Sequence, residues 1–203
     1  MKTYLTVTLA AAIVLSCGTP KSEKEGSSSP VSTSKPVDDA VEILEQSVAD
    51  TIKGSLRAKA AGRVGETNFT VLYSSPAVRG RVVWGGLVPL DEVWVTGAHM
   101  ATSVEFDQDV SISGKTVAAG KYALFTIPTK DTWTIIINRN WQQHLTDEYD
   151  AKDDVVRFET KPEQESSNQE RLRYVIETEG SNEAELVMYW EKLEVSLPIK
   201  ILR

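Results

Sequence analysis

Between Asn68 and Ile199 the chain keeps returning to one pattern, apolar and polar residues in alternation. A period of two belongs to strands, whose successive side chains leave opposite faces of a sheet. Ser103-Val104-Glu105-Phe106-Asp107 alternates cleanly, and Trp133, Ile135 and Ile137 share one face of the run 132–138. Val156 and Phe158 interleave with Arg157 and Glu159, and Leu172, Tyr174 and Ile176 with Arg171, Arg173 and Glu177. Further on, Leu186, Met188 and Trp190 share a face, as do Leu193, Val195, Leu197 and Ile199. Turn residues punctuate the runs at Ser113-Gly114, Ala119-Gly120, Pro128 and Gly180-Ser181-Asn182. Many short strands separated by turns predict an all-β domain over residues 57–203, an antiparallel β-sandwich of jelly-roll or barrel-like form. Fourteen of the fifteen aromatic residues lie between Phe69 and Trp190, which places its core.

Upstream the period changes. Val37, Val41, Leu44, Val48 and Ile52 recur at spacings of four and three, predicting a short amphipathic helix over residues 37–56. Asp38 or Asp39 caps its start and Gly54 marks its end. Two heptads are too few for an isolated coiled coil. The expectation is therefore a helix that packs on the domain or frays, with a homodimer through residues 37–56 as the alternative. Residues 17–36 form a flexible tether; the stretch from Thr19 to Pro36 holds six serines, three prolines and a single aliphatic side chain, Val31. Such a segment buries too little to offset its ordering entropy and spans roughly 25 Å on average.

The first 17 residues read as an address. Lys2 provides a positive end, Leu5 to Leu15 a short apolar run, and Ser16 a small residue directly before Cys17. This is the layout of a signal peptide, residues 1–16, too short for a membrane span. Val14-Leu15-Ser16-Cys17 resembles a bacterial lipobox, which implies lipidation of Cys17 and attachment to the membrane through acyl chains. Cys17 is the only cysteine, and lipidation removes an otherwise unpaired thiol from an oxidising compartment. Gly18 in place of Asp resembles an outer-membrane sorting signal, with the domain facing the periplasm or the cell surface. The formal charge is −7, with 29 Asp and Glu against 22 Lys and Arg. The bases form no block, so nucleic acid is not an expected partner.

Several motifs carry a family resemblance. Tyr73-Ser74-Ser75-Pro76-Ala77-Val78-Arg79-Gly80-Arg81 is followed by Trp84-Gly85-Gly86-Leu87-Val88-Pro89 and Val93-Trp94-Val95-Thr96-Gly97-Ala98. The hairpin Ala119-Gly120-Lys121-Tyr122 and Phe125-Thr126-Ile127-Pro128 complete the set. Together they resemble the family called domain of unknown function 2911, from about Ser55 to Ile201. The resemblance implies a β-rich extracytoplasmic domain with no established activity. The family commonly has Ser-Arg-Pro where this chain has Ser74-Ser75-Pro76, and Trp-Arg-x-Gly-Ala-Asn where it has Trp94 to His99. An anion site built on those two arginines would be weakened here, while Arg79 and Arg81 remain.

Two constellations suggest chemistry. His99 and His144 are the only histidines, and Asp147 stands three residues after His144, one helical turn away. Were His99 to join them, the set would suit a divalent transition metal, and with it a metal-dependent hydrolase. Arg79, Arg81, Trp94 and Trp141, with Trp84, suggest instead a concave ligand face of aromatic platforms and polar tips, fit for a glycan or an envelope protein. The acids Asp147, Glu148, Asp150, Asp153 and Asp154 lack a calcium-loop pattern and read as a solvated loop. Gly114-Lys115-Thr116 lacks the earlier glycine of a phosphate loop, since that position is Asp109, and neither a nucleophile elbow nor a His-Glu-x-x-His motif occurs. The leading expectation is an outer-membrane lipoprotein with a non-catalytic binding domain and no cofactor. The metal-dependent enzyme is the alternative.

Overall fold

In the computed structural model of the chain, residues 53–178 and 180–202 are described. The expected signal peptide, tether and residues 37–52 of the expected helix lie outside them. Leu56, the last residue assigned above to that helix, instead opens the first strand.

The alternating runs become strands. In chain order they are β1 (Leu56–Val64), β2 (Thr67–Ser75), β3 (Thr102–Phe106), β4 (Val110–Ile112), β5 (Lys115–Val117), β6 (Gly120–Pro128), β7 (Trp133–Asn138), β8 (Asp154–Thr160), β9 (Glu163–Thr178) and β10 (Glu183–Ile201). Six of them form one sheet in the order β1-β2-β3-β6-β7-β8, and four form a second, β5-β4-β10-β9. Every strand pairing is antiparallel. The two sheets pack as a sandwich, as the periodicity predicts. Val71, Val104, Leu124, Ile135, Ile137 and Val156 from the first sheet meet Leu172, Tyr174, Leu186, Met188 and Val195 from the second in one buried cluster. Each large apolar side chain buried there stabilises the fold by about 1.5–3 kcal/mol over exposure. Tyr73 and Tyr174 meet edge to face at 4.8 Å between ring centres, and the Tyr73 hydroxyl accepts the Tyr174 N–H.

Strand β10 resolves a conflict of parity. Leu186, Met188 and Trp190 fall on even positions, while Leu193, Val195, Leu197 and Ile199 fall on odd ones. A regular strand would bury one set and expose the other. All seven are buried because the register against β9 shifts on either side of Glu191, which adopts φ 58°. An irregularity centred on Glu191 therefore carries a continuous strand across the change. Ser113 and Gly114, at φ 49° and 76°, make the tight β4–β5 turn that such a pair favours.

Two connections close over this frame. Residues 76–101 join β2 to β3 and carry Trp84 and Trp94 into the sandwich. There Trp84 packs edge-on against Trp133 (4.8 Å) and Trp190 (5.5 Å), while Trp94 stacks on Trp190 at 5.9 Å with planes 21° apart. The same connection pairs Trp94 with Thr126 beyond the end of β3, prolonging that strand's place in the sheet. The second connection, residues 139–153, straps the outer face of the six-stranded sheet. Phe125 lies on that face and is fully buried because Tyr149 of the strap covers it, 5.3 Å away and edge to face. The strap is held by Asp154, which accepts from Asn138 Nδ2 at 2.8 Å and from the Tyr149 hydroxyl at 2.9 Å. Burial first, and then that hydrogen bond to a carboxylate, push the Tyr149 phenol up to about 12.

Candidate functional site

The two connections meet through their backbones. Ala101 donates to the Gln143 carbonyl at 3.0 Å, Leu145 donates to the His99 carbonyl at 2.7 Å, and between them Met100 bridges to His144. This junction forms the wall shared by two cavities. The first, of about 410 Å³, lies between the outer face of the sheet and the strap, with Arg57 of β1, Ser74 of β2, Ser103 of β3, Lys121 of β6 and Trp141 of the strap in its lining. The register explains the meeting: Arg57 is paired with Ser74, and Leu72 with Ser103, so these side chains share the face turned from the core. Ser74 and Ser103 are buried although they belong to that outer face. The second cavity, of about 480 Å³, opens on the other side of the junction against Arg81, Leu87, Val93, Trp94, Leu145 and Trp190. Ser55 and His99 line both. Volumes of this size are those of small-ligand sites.

The residues singled out in the sequence separate here. His99 is exposed, adopts φ 62° and stands at the junction. Trp94 is buried to 8% exposure, donates its indole N–H to the Gly97 carbonyl at 3.0 Å and lines the second cavity. Arg81 also lines it, with its guanidinium tied to the carbonyls of Ala77 (2.6 Å) and Val78 (3.1 Å). Trp141 lines the first cavity, where the Lys121 ammonium sits 4.3 Å from its ring centre. Arg79 is exposed, takes φ 49°, donates its N–H to Glu170 at 2.8 Å and lines neither cavity. The expected aromatic platform is thus divided. Trp84 and Trp94 belong to the tryptophan cluster of the core, with Trp94 lining the second cavity, and Trp141 lines the first, because the connection that carries the first two is drawn inward by Trp133 and Trp190.

The expected metal trio does not assemble. His144 Nδ1 lies 3.2 Å from Asp147 Oδ2, but both side chains are more than half exposed. His144 sits across from Met100, not His99, so the second imidazole stays at the cavities. Among the described residues no group of three or more His, Cys, Asp or Glu side chains is placed to hold a metal ion. The acids of the strap serve the strap itself. Asp150 caps the turn Ala151–Asp153 through the Lys152 N–H, and Asp154 makes the Asn138 and Tyr149 bonds.

Arg57, Lys121, Ser74 and Ser103 escaped the sequence reading as site residues. Lys121 was visible only inside a hairpin motif, and Arg57 sits on an alanine-rich strand without an apolar period. Ser75 stands where the resemblance described above expects arginine. Its hydroxyl donates to the Leu172 carbonyl at 2.6 Å, and its own carbonyl accepts from Arg171 of β9 at 2.8 Å. A fully buried guanidinium therefore reaches this corner from the other sheet.

A family model described as "Protein of unknown function (DUF2911)" matches residues 55–199, which take in both connections and all the described cavity-lining residues. No curated protein and no solved structure matches the chain.

Proposed function

The chain belongs to the DUF2911 family, whose description assigns no activity, and we propose that it is a lipid-anchored envelope protein whose domain binds a small ligand without transforming it. The observation that carries the binding reading is the pair of cavities meeting at Ser55 and His99, about 410 and 480 Å³, one floored by a sheet and the other by tryptophan. Polar groups converge on an otherwise apolar surface there, the usual build of a ligand site. A binding role fits better than catalysis because His99 is the one imidazole at the cleft. Among the described residues no carboxylate is hydrogen-bonded to it, as an acid–base pair would need.

The anchoring part rests on sequence. Lys2, the apolar run to Leu15 and Ser16 before Cys17 support lipidation, and Cys17 is the only cysteine of the chain. A flexible coil with the length and composition of residues 19–36 would span roughly 25 Å, enough to clear lipid headgroups. Gly18 supports an outer-membrane destination. Fractionation of cells making the wild-type chain and Cys17→Ala tests this half: labelled palmitate and the membrane fraction should both lose the variant. A variant that still takes up label would refute it.

The binding half is tested by narrowing the cleft. Ala101→Trp fills the first cavity from the junction. Retention of a cell-envelope glycan extract by the purified chain should fall on this substitution, with the ligand eluting chemically unchanged. Release of a cleaved product would overturn the non-catalytic reading.

A further inference from the structure

The first cavity inverts the charge of the protein that holds it. The chain carries 29 acidic side chains against 22 Lys and Arg, yet the described residues lining this cavity include Arg57, Lys121 and His99 and no Asp or Glu. Lys121 is the telling one. Its cross-strand neighbour in the register is Glu105, the ordinary partner for a lysine on a sheet surface. Among the described residues Lys121 makes no ion pair with it; the ammonium instead sits 4.3 Å from the centre of the Trp141 ring, inside the cavity lining. The indole face holds a cation without neutralising it, so the full positive charge is presented to the cavity. Ser74 and Ser103, both buried, add hydroxyls that donate or accept as a ligand requires. Leu72, Met100 and Ala101 supply an apolar wall.

We infer that the first cavity takes a small organic anion. Its carboxylate or phosphate group meets Lys121 and Arg57, and its uncharged body lies against the apolar wall. The inference rests on the cleft being the ligand site proposed above and adds the chemical class. Trp141 acts here as a positioning residue, holding the ammonium in the cavity and away from Glu105. A charged group held in a part-buried site binds more strongly than one at an open surface, and its attraction is weakened by salt.

The test uses the purified full-length chain with D-glucuronate, glycerol 1-phosphate and, as neutral controls, D-glucose and glycerol. Binding is read by thermal shift and by tryptophan fluorescence, with Trp141→Phe identifying the reporting ring. At least one of the two anions should raise the melting temperature and change the Trp141 signal; glucose and glycerol should do neither. Lys121→Met should weaken that anion roughly tenfold or more, and Lys121→Arg should restore most of the loss. Which anion responds distinguishes a carboxylate source from a phosphate one. Equal binding of the neutral controls, an anion affinity indifferent to Lys121→Met, or silence toward both anions at roughly 10 mM would overturn the inference. Turnover of a probe that still requires Lys121 would leave the anion class standing and refute only the non-catalytic reading.

Discussion

Leu145 donates its backbone N–H to the carbonyl of His99 at 2.7 Å, and both residues adopt left-handed backbone, at φ 49° and 62°. Two loops distant in sequence are locked by a bond between two backbones that L-residues adopt only at a cost of roughly 1–2 kcal/mol each. The wall between the cavities is therefore a strained junction that packing holds in place.

Substitution at position 99 separates backbone from side chain. Glycine accepts φ 62° freely, so His99→Gly should stay within about 1 kcal/mol of the wild type in denaturant unfolding, the relieved strain offsetting the looser unfolded chain. His99→Val places a β-branched residue in the same conformation and should fall below the glycine variant by about 1–2 kcal/mol. Equal stability of the two variants would mean that the left-handed geometry is not enforced.

At Glu191 the strand reconciles two parities. Deleting this one residue brings Leu193, Val195, Leu197 and Ile199 onto the parity of Leu186, Met188 and Trp190, so that a regular strand buries all seven. Circular dichroism and cooperative thermal melting should then show the native fold retained. Glu191→Gly keeps the count and relieves φ 58°, so its melting temperature should match or exceed that of the wild type. A deletion variant that loses the native fold would refute the irregularity at Glu191 as the device that joins the two runs.

The same strand marks how far the sequence could be read. Where apolar residues are large and alternate, as at Trp133, Ile135 and Ile137 or at Leu172 and Tyr174, the faces found in the fold are the faces predicted, because burial of such side chains dominates the energetics. β1 escaped notice because its buried positions Ala58 and Ala60 alternate with Lys59 and Ala61, and alanine carries little strand signal. The site was legible only in fragments. His99, Trp94, Arg81 and Trp141 do line the cleft, but Lys121 and Arg57 come to it through the pairing of β1, β2, β3 and β6, and Trp84 leaves it for a cluster with Trp133 and Trp190. These meetings depend on register and on two long connections, which no local period encodes.

The tryptophan cluster predicts an order of effects. Trp133 is almost wholly buried and packs against Trp84 and Trp94, so Trp133→Ala should cost about 3–5 kcal/mol through the cavity it leaves. Trp94→Phe and Trp190→Phe remove similar volume but different bonds. The Trp94 indole N–H serves the Gly97 carbonyl, whereas the buried Trp190 N–H has no hydrogen-bond partner among the described residues. Trp94→Phe should therefore be the more destabilising of the two by about 1 kcal/mol, measured from denaturant midpoints at equal slope. The reverse order would show that the Gly97 bond is not what holds the connection.

On the far sheet Glu194 gives the stability a pH dependence. Burial, then a hydrogen bond with Glu165 and the nearby charges of Glu165, Glu163 and Glu177, raise its carboxyl above the ordinary value of 4.5. The folded chain thus holds this proton more tightly than the unfolded chain does. That preference favours folding fully below the unfolded value and is lost as pH rises through the raised one. Above both values the ionised group stands among like charges, and the fold carries the repulsion. Glu194→Gln removes the titration and keeps the shape. Its melting temperature should exceed that of the wild type at about pH 7, and the difference should shrink toward zero as the pH falls to about 3.5, where the native carboxyl is protonated. A gain that stays constant across this range would mean that glutamine acts through packing and that the cluster of acids around Glu194 does not set the pH response.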